Sequence, residues 1–113
     1  MMKLYTGYFA RHGNHPRAVS IARSQPMAFD IPEILELAPA RTLLADYKSG
    51  RIGWDDYAIR YRVRLGLLVA GHVEELLQDG MVLICWESPH EHCHRHLLAD
   101  WLRECGHEVE ELP

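Results

Sequence analysis

The sequence predicts a small α/β domain built on an open, mostly parallel sheet with helices packed on it. Three observations predict it. Strand-like and helix-like segments alternate along the chain. "MVLICW" (Met81 to Trp86) is a continuous apolar run without alternation, as in a strand covered on both faces. The segment after it, Cys93 to Cys105, places Leu97, Leu98, Trp101, Leu102 and Cys105 at helical spacing before "HEVEEL" opens a further strand. Strand, helix and strand in that order imply a right-handed crossover and parallel pairing.

Each element has its own signal. "KLYTGYF" (Lys3 to Phe9) is rich in strand formers and stops at a loop marked by Gly13, Asn14 and Pro16. "AVSIA" (Ala18 to Ala22) reads as a second, short strand, and the prolines between Met27 and Pro39 predict an irregular stretch. A helix is expected from about Ala40 to Ser49, with Pro39 at its start, Leu43, Leu44 and Tyr47 on one face and Gly50 past its end. Asp55 and Asp56 suit the first turn of a helix from Trp54 to Leu68, whose inner stripe is Tyr57, Tyr61, Arg64 and Leu65. A short helix, His72 to Gln78, precedes the central strand, and His107 to Leu112 alternates as an edge strand.

Composition narrows the functions. At 113 residues, 48% apolar and 25% charged, the chain fits one globular core, residues 1–113. No apolar run approaches the roughly 20 residues that span a bilayer, so a soluble cytoplasmic protein without membrane contact is expected. A net charge of −4 disfavours nucleic acid as a bulk polyanionic partner. "RYRVRLG", with Arg60 and Arg64 one turn apart, reads as a solvated helix face. Three cysteines do not make a disulfide framework and are better read as core residues, ligands or reactive thiols.

Chemistry concentrates in "CWESPHEHCHRH", Cys85 to His96. The stretch lies past the carboxyl end of the central strand, where open parallel sheets bind ligands. Alternation along the strand puts Cys85 and Glu87 on one face and Trp86 on the other. At about 100° per residue the following helix points His94 inward, holds Cys93 and Arg95 at the rim and turns His96 to water.

Cys93 at a helix N-terminus beside His94 and Arg95 has a stabilised thiolate. The same amides and Arg95 suit a phosphate or carboxylate, and Glu87 suits acid/base work or orients Arg95 or His94. The alternatives stay open: Cys93 as a cap-region residue, His94 as a core histidine, Arg95 as a partner for Glu87. Zinc through Cys85, Cys93 and His94 is a further alternative. His92 and His96 stand four apart but face the solvated side, and no cofactor is otherwise expected. Cys105 reads as a core residue continuing the apolar face.

"VLICWESPHEHCHRHLLADWL", with its Cys-x-Glu and Cys-His-Arg, resembles the signature of the domain of unknown function 488 family. "LYTGYF", "SIARSQP", "LAPARTLLADYKSG", "WDDYAIRY" and "HEVEEL" extend the resemblance over nearly the whole chain. It implies a small Rossmann-like fold and carries over Cys85, Glu87, Cys93, His94 and Arg95 together with Ser20, Arg23 and Pro26. His90 and His92 fall where the family pattern varies. Ser20 and Arg23 end the second strand on the same side of a parallel sheet, so Arg23 and Arg95 are expected to form an anion clamp, unless Arg23 pairs with Asp30 or Glu33. Thr6 and Tyr8 are expected to line the same cleft.

Three functions follow as expectations. The first is an enzyme on a small anionic or nucleotide-like substrate, with Cys93 or Cys85 as nucleophile, His94 as proton carrier, Glu87 as acid/base, and Arg95, Arg23 and Ser20 as binding residues. The second is a non-catalytic module for a nucleotide, nucleic-acid end or protein tail, and the third a zinc-stabilised domain.

Overall fold

The computed structural model describes residues 1–68, 70–88 and 91–113. The chain runs β1 (Lys3–Tyr8), α1 (Phe9–His12), β2 (Ala18–Ser20), a 3-10 turn (Leu35–Leu37), α2 (Arg41–Lys48), α3 (Trp54–Leu67), α4 (Ala70–Leu76), β3 (Val82–Cys85), α5 (His94–Glu104) and β4 (Glu108–Glu111). The four strands lie in the order β2-β3-β1-β4, and every pair is parallel. This is a Rossmann-like α/β sheet. No helix among the described residues is long and apolar enough to cross a membrane.

β3 is buried at all four residues, as its unbroken apolar run requires. Alternation divides it. Leu83 and Cys85 join Leu4, Tyr57, Tyr61, Leu65, Leu98 and Leu102 in the larger core under α3 and α5. Val82 and Ile84 join Phe9, Ala18 and Ala22 on the opposite face, against Phe29. The inner stripe of α3 is Tyr57, Tyr61 and Leu65, whereas Arg64, expected with them, is only half-buried and donates Nε to the Ala38 carbonyl at 2.8 Å; Tyr61 ties the helix down by donating its hydroxyl to the Leu37 carbonyl at 2.6 Å.

Several boundaries differ from expectation; α4, expected over His72 to Gln78, runs two residues earlier, over Ala70–Leu76. β2 ends at Ser20, two residues early, because Ser20 turns its backbone to Pro32 and Ile34 in a bridge with Glu33. Residues Phe9–His12 form a helical turn instead of strand end and loop. The His12 ring closes that turn, its Nδ1 accepting from the Tyr8 amide at 3.1 Å, and only Gly7 leaves room for it. Cys105 is exposed rather than in the core, since α5 ends at Glu104 and the helical angle no longer applies to the residue that follows.

Candidate functional site

The carboxyl ends of β2 and β3 open into a cleft of about 250 Å³. Arg23 and Ser24 follow β2, Trp86 and Glu87 follow β3, Cys93 and His94 begin α5, and Tyr47, Lys48, Trp54 and Tyr57 come from α2 and α3. Every parallel strand delivers its outgoing loop to the same edge, so segments distant in sequence meet there.

Cys93 caps α5 from an extended conformation, its sulfur accepting from the Arg95 amide at 3.5 Å. His94 is buried at the first helical position. Its Nε2 lies 2.7 Å from the Ile21 carbonyl and its Nδ1 3.8 Å from the Cys93 sulfur. A carbonyl only accepts, so Nε2 carries the proton and Nδ1 presents its lone pair to the thiol. Burial lowers the His94 pKa to about 4, against the opposing bond to Ile21, so the ring is neutral near pH 7.

The Cys85 and Cys93 sulfurs are in contact, a pairing not expected from the sequence, with Cα atoms 7.5 Å apart, wider than an ordinary disulfide spans. The reason is geometric: the last residue of β3 points under the same helix whose cap is Cys93. Cys85 is fully buried and absent from the cleft wall, whereas Cys93 lines it. The sulfurs of Cys85 and Cys93 and a Glu87 carboxylate oxygen lie within 4.8 Å of one another, a donor set that could hold a metal ion. A guanidinium nitrogen of Arg95 occupies the other flank of Cys85 at 2.8 Å, placing positive charge where a dication's field would fall.

Arg95 is not at the rim. Its side chain is fully buried and runs back beneath the strand ends. Nε and Nη2 donate to the two carboxylate oxygens of Glu111 at 3.0 and 2.8 Å, and Nη1 donates to Cys85 and to the Glu87 carbonyl at 2.5 Å. Burial would raise the Glu111 pKa, but the hydrogen bonds from Arg95 and from the Thr6 hydroxyl at 2.6 Å outweigh it and hold the carboxyl below its ordinary range. Thr6 is therefore spent on Glu111, and the Tyr8 ring lies against the Arg95 guanidinium rather than in the cleft wall. His96, expected in water, is half-buried, with Nε2 enclosed and lacking a hydrogen-bond partner among the described residues. Burial lowers its pKa and Arg95 lowers it further.

The remaining sequence candidates separate. Arg23 lines the cleft and is oriented by two bonds to the Pro39 carbonyl, at 3.1 and 2.9 Å, rather than by Asp30 or Glu33. Desolvation and the neighbouring charges of Arg64 and Arg41 lower its pKa. Ser20 is buried behind the cleft, its hydroxyl accepting from the Ala22 amide at 3.2 Å, so it shapes the turn without facing a ligand. The Glu87 carboxylate meets Lys48 Nζ at 3.4 Å, not Arg95 or His94. His90 lies outside the described residues.

Sequence reasoning missed the aromatic wall. The Trp54 ring stacks on His92 with centroids 4.4 Å apart and on Tyr57 at 5.2 Å, and Tyr47 packs beside them. Trp86 also lines the cleft, about half exposed, with its indole N–H held by the Ser24 carbonyl at 2.8 Å. The signal available was the spacing of Trp54, Tyr57 and Tyr61, which puts three rings on one helix face. Lys48 and Arg23 against one carboxylate, Glu87, give the cleft an excess of positive charge.

No curated protein and no solved structure matches the chain. A family model described as "Active DUF488-N3 subclade" matches residues 14–106, which include Arg23, Cys85, Glu87, Cys93, His94 and Arg95, and the chain therefore belongs to the DUF488-N3a family.

Proposed function

We propose that the cleft is a thiol enzyme site for a small anionic, nucleotide-like substrate, with Cys93 in its reduced form as nucleophile. The observation that carries this reading is the neutral His94 ring, proton fixed on Nε2 by Ile21, with Nδ1 turned to Cys93. A neutral imidazole so oriented takes the thiol proton as the sulfur attacks, and the amides of the α5 N-terminus favour the thiolate. Glu87 stands near enough to the sulfur to exchange a proton with a leaving group. Arg23 and Lys48 supply the anion-binding charge, and the half-exposed Trp86 suits a planar ring. Arg95, already paired with Glu111, acts as a support of the two sulfurs rather than as a ligand arm.

The test is alkylation of the reduced protein across pH, read at each cysteine by mass spectrometry. Cys93 should react well below the range of a free thiol, whose pKa is about 8.5, because the α5 amides favour its thiolate, and His94→Gln, which replaces a ring that is neutral near pH 7, should leave that profile in place. A wild-type Cys93 that titrates like free cysteine removes the nucleophile. Retention of ligand without any thiol activation would favour a non-catalytic binding module.

A further inference from the structure

We propose that Cys93 and Cys85 form a reversible oxidation site, in which a hydroperoxide reacts at Cys93 and Cys85 is the resolving thiol. The inference concerns regulation of the proposed site and rests on Cys93 being its cleft-facing thiol. Its own grounds are the asymmetry of the pair. Cys93 lines the cleft and has a proton acceptor beside it, whereas Cys85 is sealed off from the cleft and from solvent. A reagent entering from the cleft therefore meets Cys93, and Cys85 is reached through Cys93. The two sulfurs touch with their Cα atoms 7.5 Å apart, so a bond between them draws the start of α5 slightly toward the end of β3.

The charges divide the labour in the same way. Arg95 Nη1 donates to the Cys85 sulfur at 2.8 Å, which favours Cys85 as a thiolate even though it is buried. Arg95 is itself fixed by Glu111, and Glu111 by Thr6, so that charge cannot swing into the cleft.

In the first step the Cys93 thiolate, its proton released to water because the buried His94 ring stays neutral near pH 7, attacks the terminal peroxide oxygen. An S–O bond forms, the O–O bond breaks, and the departing alkoxide or hydroxide takes up a proton from water. Cys93 is oxidised to the sulfenic acid and the peroxide reduced. In the second step the Cys85 thiolate attacks the Cys93 sulfur, the S–S bond forms and the S–O bond breaks. The hydroxide that leaves takes the proton given up by Cys85 and departs as water. The sum is two thiols and a hydroperoxide giving a disulfide, an alcohol or water, and water; an external dithiol reverses it by exchange.

The experiment uses the full chain in a Cys105→Ser background, reduced and then exposed to stoichiometric hydrogen peroxide. Intact mass should fall by two hydrogens and return with dithiothreitol, with the link mapped between Cys85 and Cys93. Cys85→Ser should instead gain one oxygen at Cys93, trapped by dimedone, and with a second equivalent of peroxide pass on to the irreversible sulfinic acid. Cys93→Ser should leave Cys85 unmodified under the same exposure. Wild-type protein that stays reduced, or that accumulates sulfinic acid without a disulfide, overturns the proposal, as does oxidation of Cys85 in Cys93→Ser. The parent mass needs only the change at the exposed Cys105 to be tolerated. A normal disulfide with an unperturbed alkylation profile would retain the redox pair and remove the enzyme, and the converse would do the reverse.

Discussion

His94 turns Nδ1 toward the Cys93 sulfur at 3.8 Å, and burial keeps that nitrogen unprotonated down to about pH 4. In the unfolded chain the same ring protonates near 6.5. Between those values the unfolded state binds the extra proton, so this histidine's contribution to stability is complete above pH 6.5 and is lost as pH falls toward 4. The loss reaches about 3 kcal/mol at most. Urea midpoints at pH 7 and pH 5 should therefore differ more for the wild type than for His94→Gln, which cannot protonate. Equal slopes would show that the ring is accessible to protons in the folded state.

The Arg95 and Glu111 pair should behave as a buried ion pair with one solvated end. Removing the carboxylate by Glu111→Ala strands a fully buried guanidinium and should cost about 3 kcal/mol. In the Arg95→Met, Glu111→Leu double variant the loss should be smaller than the sum of the single losses. Because the folded Glu111 pKa is lowered, its stabilisation holds above the ordinary carboxylate range and disappears as pH falls through the folded value. Denaturant titrations of the wild type, Glu111→Ala, Arg95→Met, Glu111→Leu and the double variant at pH 7 and pH 4 check both statements.

Arg23 and Lys48 should set anion affinity. With a nucleoside monophosphate as probe and tryptophan fluorescence as signal, Arg23→Met and Lys48→Met are each expected to weaken binding roughly tenfold, equivalent to ~1.4 kcal/mol. Added salt should weaken the wild type in the same direction. Trp54 and Trp86 both line the cleft, so occupancy should change their emission. Binding unaffected by either variant would place the anion elsewhere.

Chelation should leave the fold intact. With Arg95 2.8 Å from the Cys85 sulfur, the charge balance around Cys85, Glu87 and Cys93 is met from within the chain. Melting curves of reduced, tag-free protein with and without a strong chelator should superimpose, and metal analysis should find far less than one zinc per chain. A drop in melting temperature with chelator would revive the zinc reading through Cys85, Cys93 and His94.

The hydroxyl of Tyr61 offers a test of the core. It is fully buried and spends its proton on the Leu37 carbonyl, and burial raises its pKa well above the ordinary value. Tyr61→Phe leaves that carbonyl unpaired and should cost about 1–2 kcal/mol in denaturant unfolding.

The parts of the site that were legible in the sequence are those fixed by local periodicity. Strand alternation set Cys85 and Glu87 apart from Trp86, and helical spacing sent His94 inward. Arg95 escaped the same reasoning because a long side chain in the first turn of α5 can double back under β3. Its direction is set by Glu111, 16 residues on, which reaches it only when β4 pairs with β1. The aromatic wall was half legible: the spacing of Trp54, Tyr57 and Tyr61 puts three rings on one face of α3, but the docking of α2 and of the loop before α5 against that face leaves no periodic trace. Cys105 was misplaced because a helical angle was extended one residue beyond the helix.

Thr6 and Glu111 both lie outside the residues 14–106 that define the family match, yet together they hold the charge that steadies the two sulfurs. Thr6 belongs to the first strand and Glu111 to the last, and they pair directly across the sheet. As the chain emerges from synthesis, Arg95 therefore appears before its counter-ion. The Arg95 charge reaches its final position beside Cys85 only when the last strand docks, so completing the sheet and fixing that charge are a single event.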